Sequence, residues 1–176
     1  MFDATQLTAR IANVDGATTN HQKGQSFEQL AMYVFEHLDG VEISEHNAMM
    51  DSEEIDIVLW NAQIEAVLRP WEAVILVECK NWNSRVGAQA LDAFISKLRR
   101  RYLRTGIFIA AEGVTGDFVD GTGAEVGAAG IIRSALQEGI RVVVITMDDI
   151  RGFASLDDIR NLIKQRYCKL YVHKIF

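Results

Sequence analysis

The run Val74-Ile75-Leu76-Val77-Glu78-Cys79-Lys80 constrains this chain more than any other stretch, because apolar residues sufficient for a buried strand end on a carboxylate and an ammonium two residues apart. On a strand that spacing puts both charges on one face. Burying either charge alone is costly, so such a pair needs a partner charge, a metal ion or a substrate beside it. The end of this strand is therefore where a site is expected.

The surrounding pattern alternates helix and strand. Leu7, Ile11 and Val14 set a short first helix that stops near Asn13-Val14-Asp15-Gly16. From Asn20 to Leu38, Phe27, Leu30, Ala31, Val34, Phe35 and Leu38 form one apolar stripe, with Thr19 or Asn20 as cap and Asp39-Gly40 as stop. Three strands follow, at 41–50, 54–61 and 72–81, and read as an antiparallel meander; the turn between the first two is acidic, and the only proline, Pro70, lies in the next loop. Leu91, Phe94, Ile95, Leu98 and Tyr102 set the apolar face of a helix over 87–104, leaving Lys97, Arg100 and Arg104 on its far side. A strand over 106–111, a glycine-rich loop, an alanine-rich helix around 128–136, a buried strand over 141–146 and an amphipathic helix over 156–170 complete the order. The whole reads as one α/β domain spanning 1–176.

Composition narrows the function classes. A net charge of −6 gives the chain no global attraction to nucleic acid, so any such binding rests on a local basic patch, a metal or a partner. No apolar run is long enough to span a bilayer, and residues 1–7 lack the basic-then-apolar pattern of a secretory leader; the expected compartment is the cytoplasm. Two cysteines, Cys79 and Cys168, make neither a disulfide framework nor a zinc pattern.

Charges placed inside apolar patterns carry the chemistry. Asp56 sits in Ile55-Asp56-Ile57-Val58-Leu59-Trp60, Glu78 and Lys80 end the next strand, and Glu28 rides at the edge of the Phe27/Leu30/Val34 stripe. If the two strands are hairpin neighbours, Asp56 lies beside Glu78, and two such carboxylates repel unless a divalent cation or a proton sits between them. Oxygen ligands favour a hard ion such as magnesium. Lys80, on the same face, can hold an attacking water or a phosphate oxygen.

In order and residues this arrangement resembles the PD-(D/E)xK nuclease superfamily, in which an acid-bearing helix precedes a meander carrying the Asp and the Glu-x-Lys. Within it the chain looks most like Mrr-type restriction endonuclease domains, through Gly24-Gln25-Ser26-Phe27-Glu28, the polar turn Asn81-Trp82-Asn83-Ser84 after Lys80, Val86-Gly87 opening a helix, Gly106-Ile107-Phe108-Ile109, and the loop Val114-Thr115-Gly116-Asp117-Phe118. The resemblance spans roughly 23–135. It implies a restriction-endonuclease-like fold: a central mixed β-sheet flanked by helices, with an αβββαβ core over about 20–146 and a C-terminal α-β-α extension. It also implies a magnesium-dependent nuclease, manganese being able to substitute, that cuts phosphodiester bonds, DNA first among them. By the same resemblance Asp56 and Glu78 are metal ligands, Cys79 lends its backbone carbonyl, Lys80 is the catalytic lysine, and Glu28 assists the metal site, directly or through water. Two departures stand out: Ile55 replaces the motif's proline, and no separate DNA-reading domain accompanies the core, which leaves specificity to a homodimer or a partner subunit. The competing reading is a catalytically silent scaffold or nucleic-acid-binding subunit of the same fold.

Around this core, Trp82 and Asn83 can contact a nucleic acid, and Lys97, Arg99, Arg100, Arg101 and Arg104 can bind its phosphates, although a basic helix face is as often simply solvated. His21, His37, His46 and His173 lack metal-ligand spacing and read as solvated or partly buried. The stretch 121–127 misses the dinucleotide-binding fingerprint and reads as a close-packed start of the next helix.

Overall fold

A computed structural model describes residues 2–50, 53–116 and 127–172. The elements are α1 (Ala4–Asp15), α2 (Asn20–Phe35), β1 (Val41–Met50), β2 (Glu53–Asn61), β3 (Val74–Lys80), α3 (Ala88–Arg100), β4 (Thr105–Ala110), α4 (Ala128–Gln137), β5 (Arg141–Ile145), α5 (Met147–Arg151) and α6 (Leu156–Leu170). One sheet runs in the order β1-β2-β3-β4-β5. The β1-β2 and β2-β3 pairs are antiparallel, and the β3-β4 and β4-β5 pairs are parallel, each reached through a helical crossover. This is the mixed sheet flanked by helices expected from the sequence.

Local chemistry explains the boundaries. Thr19 caps α2 in a reciprocal box with Gln22, satisfying two backbone N–H groups that a helix start leaves unpaired. The stripe behind it is buried as expected, with Phe27, Leu30, Ala31, Val34 and Phe35 at most 2% exposed. Each such side chain contributes about 1.5–3 kcal/mol relative to exposure. The third helix stops at Arg100 and not at Arg104, because Tyr102 takes a left-handed backbone (φ 57). Between β5 and α6 the structure adds α5, which the sequence reading leaves out; Thr146 and Asp149 cap it reciprocally.

Strands β3, β4 and β5 are buried on both faces, as strands joined by helical crossovers must be. Phe94 of α3 packs on Phe108 with ring centroids 5.6 Å apart. Gly106 makes that approach possible, since a Cβ there would lie 2.7 Å from Phe94 Cζ and 2.9 Å from Leu98 Cδ1. At the far end of β4, Val86 pairs with Val114, and Thr115 Oγ1 accepts the Ala128 N–H at the start of α4. The expected site therefore lies where β2 and β3 end, framed by α2 and by the chain leading into α3. Asp51, residues 117–126 (with Asp117, Phe118 and most of the stretch 121–127) and His173 lie outside the described residues.

Candidate active site

The β2-β3 ladder ends at Ile57 opposite Val77, and one step further that register brings Asp56 and Glu78 side by side. There the backbone N–H of Cys79, left without a strand partner by the end of the ladder, donates to Asp56 Oδ2 at 2.7 Å. Lys80 Nζ stands 2.7 Å from Glu78 Oε1 and 3.8 Å from Asp56 Oδ2. The three side chains singled out from the sequence are thus brought together, with Asp56 and Glu78 both buried.

A second cation completes the arrangement. The Lys97 ammonium donates to Glu78 Oε2 at 2.7 Å and to the Glu54 carbonyl at 2.7 Å. Lys97 therefore does not sit on the far, solvated side of α3 as the helical period suggests. Phe94 and Leu98 hold the helix against β4, and the flexible lysyl stem reaches sideways across to β3. On the other flank, Glu28 Oε2 lies 2.8 Å from His46 Nε2. His46 comes from β1, whose register slips between Ile43 and Glu45. The sequence offered no sign of this contact, because a bulge breaks the alternation that would fix which face a strand residue takes.

The electrostatics follow from burial and crowding. Burial first, then the neighbouring Glu78, pushes the Asp56 carboxyl up from its usual range to about 6, with Glu28 adding to the rise and Lys80 and the Cys79 N–H opposing it. Burial acts to lower the Lys80 pKa, yet Glu78 and Asp56 outweigh it and raise it overall. Burial pushes the Cys79 thiol well up, keeping it protonated and unreactive. The charge of Asp56 is thus compensated only in part by its buried surroundings.

Beside it opens a cleft of about 460 Å³ lined by Asn20, Lys23, Gly24, Lys80, Trp82 and Asn83, among others. Asn81 Nδ2 donates to the Lys23 carbonyl at 3.0 Å, tying the two walls together. Trp82 is 46% exposed there, so it does not cap the core. The remaining basic residues are elsewhere engaged. Arg100 and Arg101 pair with Glu53, Arg99 pairs with Glu138, and Arg104 donates to the Glu138 carbonyl. As a phosphate-binding group this set of four arginines is half neutralised, by the two carboxylates of Glu53 and Glu138.

Among the described residues no group of three or more His, Cys, Asp or Glu side chains is arranged to hold a metal ion. The donor chemistry nevertheless suits magnesium, which is commonly held by one or two carboxylates while water and substrate phosphate complete its shell. Asp56 and Glu78 supply two, and the second Asp56 oxygen accepts no hydrogen bond from the described residues. The raised pKa of Asp56 marks a carboxylate charge compensated only in part, of the kind a divalent cation relieves.

A family model for a restriction endonuclease catalytic domain (Mrr_cat) matches residues 19–132, a stretch that contains Glu28, Asp56, Glu78, Lys80 and Lys97. Among curated proteins, none matches. Among solved structures, SfsA of Pyrococcus furiosus in complex with Ca2+ is similar at 17% identity and a TM-score of 0.41, over 69% of this chain and 57% of that one. The chain thus spans little more than half the length of that protein.

Proposed function

The chain belongs to the Mrr_cat restriction endonuclease family, and we propose that it is a nuclease of that type, hydrolysing DNA phosphodiester bonds as a magnesium-dependent endonuclease, with manganese able to substitute. The observation that carries this reading is the junction of Asp56, Glu78 and Lys80 at the end of β3. On this reading residues 1–176 form one domain.

Asp56 and Glu78 hold the cation, with the Cys79 carbonyl as a further donor and Glu28 assisting from α2. The Cys79 N–H fixes the Asp56 carboxylate, so its other oxygen is presented without a search among rotamers. Lys80, kept protonated by its two carboxylate neighbours, orients the attacking water and holds a phosphoryl oxygen. When bound, the divalent cation supplies Lewis-acid stabilisation of charge on the phosphate. Trp82 and Asn83, on the rim of the cleft, contact the nucleotides flanking the scissile bond. Target choice falls to a second copy or to a partner subunit.

The silent-scaffold reading draws on one observation, that both Glu78 oxygens are held by lysines. Incubating the purified chain with plasmid and linear DNA in magnesium, in manganese and in EDTA decides between the two. Cleavage that EDTA stops and that Asp56→Ala and Glu78→Ala each abolish supports the nuclease. Full activity in either variant overturns the mechanism, and no cleavage with either ion favours the scaffold.

A further inference from the structure

Glu78 is held at both ends: Oε1 by Lys80 and Oε2 by Lys97, each at 2.7 Å. Both Glu78 oxygens thus already carry an ammonium, so a cation that takes this carboxylate competes with one of the two lysines for its charge. The two lysines differ in what else they hold. Lys80 also faces Asp56, and its backbone carbonyl accepts the Ala111 N–H, which keeps its stem within the sheet. Lys97 comes from the neighbouring helix, and among the described residues its ammonium bonds, besides Glu78, only the carbonyl of Glu54, near the start of β2. At 13% its side chain is less exposed than that of Lys80 at 23%, so what sets Lys97 apart is its single carboxylate partner among those residues and its place on a helix outside the sheet.

We infer that Lys97 is an exchangeable counter-ion of the active site: it occupies Glu78 until a divalent cation takes that carboxylate, and the displaced ammonium then turns to a phosphate oxygen of the nucleic acid. The inference rests on the metal-dependent nuclease reading and adds to it a coupling between metal and substrate. Cation binding alone must break the contact between Lys97 and Glu78 and leave an ammonium without an anion in a partly buried place. With substrate present, the phosphate receives that ammonium, so each ligand strengthens the binding of the other. Lys97 is in this view a substrate-contacting residue as well as a competitor of the metal. A cation bound without its substrate is weakly held, which limits idle occupancy of the site.

Calorimetric titration of the folded chain with Ca2+, with and without a short DNA duplex, tests this on the wild type, Lys97→Met and Lys97→Arg. Removing a positive charge a few ångströms from the metal position should tighten Ca2+ binding by on the order of tenfold without DNA. In Lys97→Met the duplex should then add several-fold less affinity for Ca2+ than it adds in the wild type and in Lys97→Arg, what remains being direct coordination of the phosphate by the cation. Equal or weaker Ca2+ binding by Lys97→Met, or a duplex effect unchanged by the substitution, overturns the role of Lys97 and leaves the nuclease reading standing. Absence of Ca2+ binding by all three proteins in both arms overturns the metal-dependent reading itself. If Lys97→Met does not fold, the same question goes to the wild type through the nitrogen-15 signals of its lysine ammonium groups. A Lys97 signal that shifts and loses its protection from solvent exchange on Ca2+ binding supports the exchange, and one that stays unchanged at saturating Ca2+ refutes it.

Discussion

Asp56 is the residue at which stability and function pull in opposite directions. Its carboxyl is raised from the ordinary 3.8 to about 6 in the folded chain, chiefly by burial and by Glu78. The folded state therefore holds this proton more tightly than the unfolded state does. The resulting stabilisation is complete below pH 3.8 and is lost as the pH rises through 6; at neutral pH the deficit is on the order of 3 kcal/mol. Thermal melts of the metal-free protein should show Asp56→Asn more stable than the wild type at pH 7, with the difference closing as the pH falls toward 4, because the amide oxygen keeps the Cys79 hydrogen bond without the charge. Parallel melting curves for the two proteins across that range would contradict this. Lys80→Ala should lower kcat by about 100- to 1,000-fold while leaving Ca2+ binding measurable, since it removes a charge aimed at the phosphate and no metal ligand. The meeting of Asp56, Glu78 and Lys80 was legible in the sequence because a charge inside an apolar run announces itself. Two contacts were not: Lys97, read as a candidate for binding phosphates, reaches Glu78 through a flexible stem, and His46 reaches Glu28 only because β1 slips its register.

Among the elements, α3 serves the core and the site at once, since Phe94 and Leu98 pack on β4 while Lys97, between them in sequence, holds Glu78. Gly106→Ala should force those two side chains off β4 and destabilise the protein by about 1–3 kcal/mol in urea unfolding, whereas Gly87→Ala, where a Cβ would meet nothing within 4 Å, should cost only the roughly 0.5–1 kcal/mol of a poorer N-cap for α3. Helix α5 shows a different limit of sequence reading. Its five residues are too few to display a period, and its only signature was the spacing of Thr146 and Asp149, a cap that is informative once something is known to follow it. Thr146→Ala should cost about 1 kcal/mol by the same unfolding measurement. Helix α2 and strand β3, by contrast, could be read directly from a long buried stripe and a long apolar run, and β5, though only five residues, from its unbroken β-branched run Val142-Val143-Val144-Ile145.

At the scale of the whole molecule, an acidic protein has to approach a polyanion. Arg99, Arg100 and Arg101 are spent on Glu138 and Glu53, so few cations remain to release counter-ions from DNA. The plot of log affinity against log salt should have a slope of only about −2 to −4, measured by fluorescence anisotropy without metal. A slope as steep as about −8 would show a larger basic surface than this chain presents. The sheet order has a consequence of another kind. Its strands lie side by side in the order in which they are made, β1 to β5, so a ribosome delivers each one next to a neighbour already waiting. Once β3 is laid down, Asp56, Glu78 and Lys80 are all present, while α3 and its Lys97 have yet to emerge. For that interval during synthesis the nascent carboxylates stand with one ammonium fewer than in the finished protein, open to any cation in the surrounding solution.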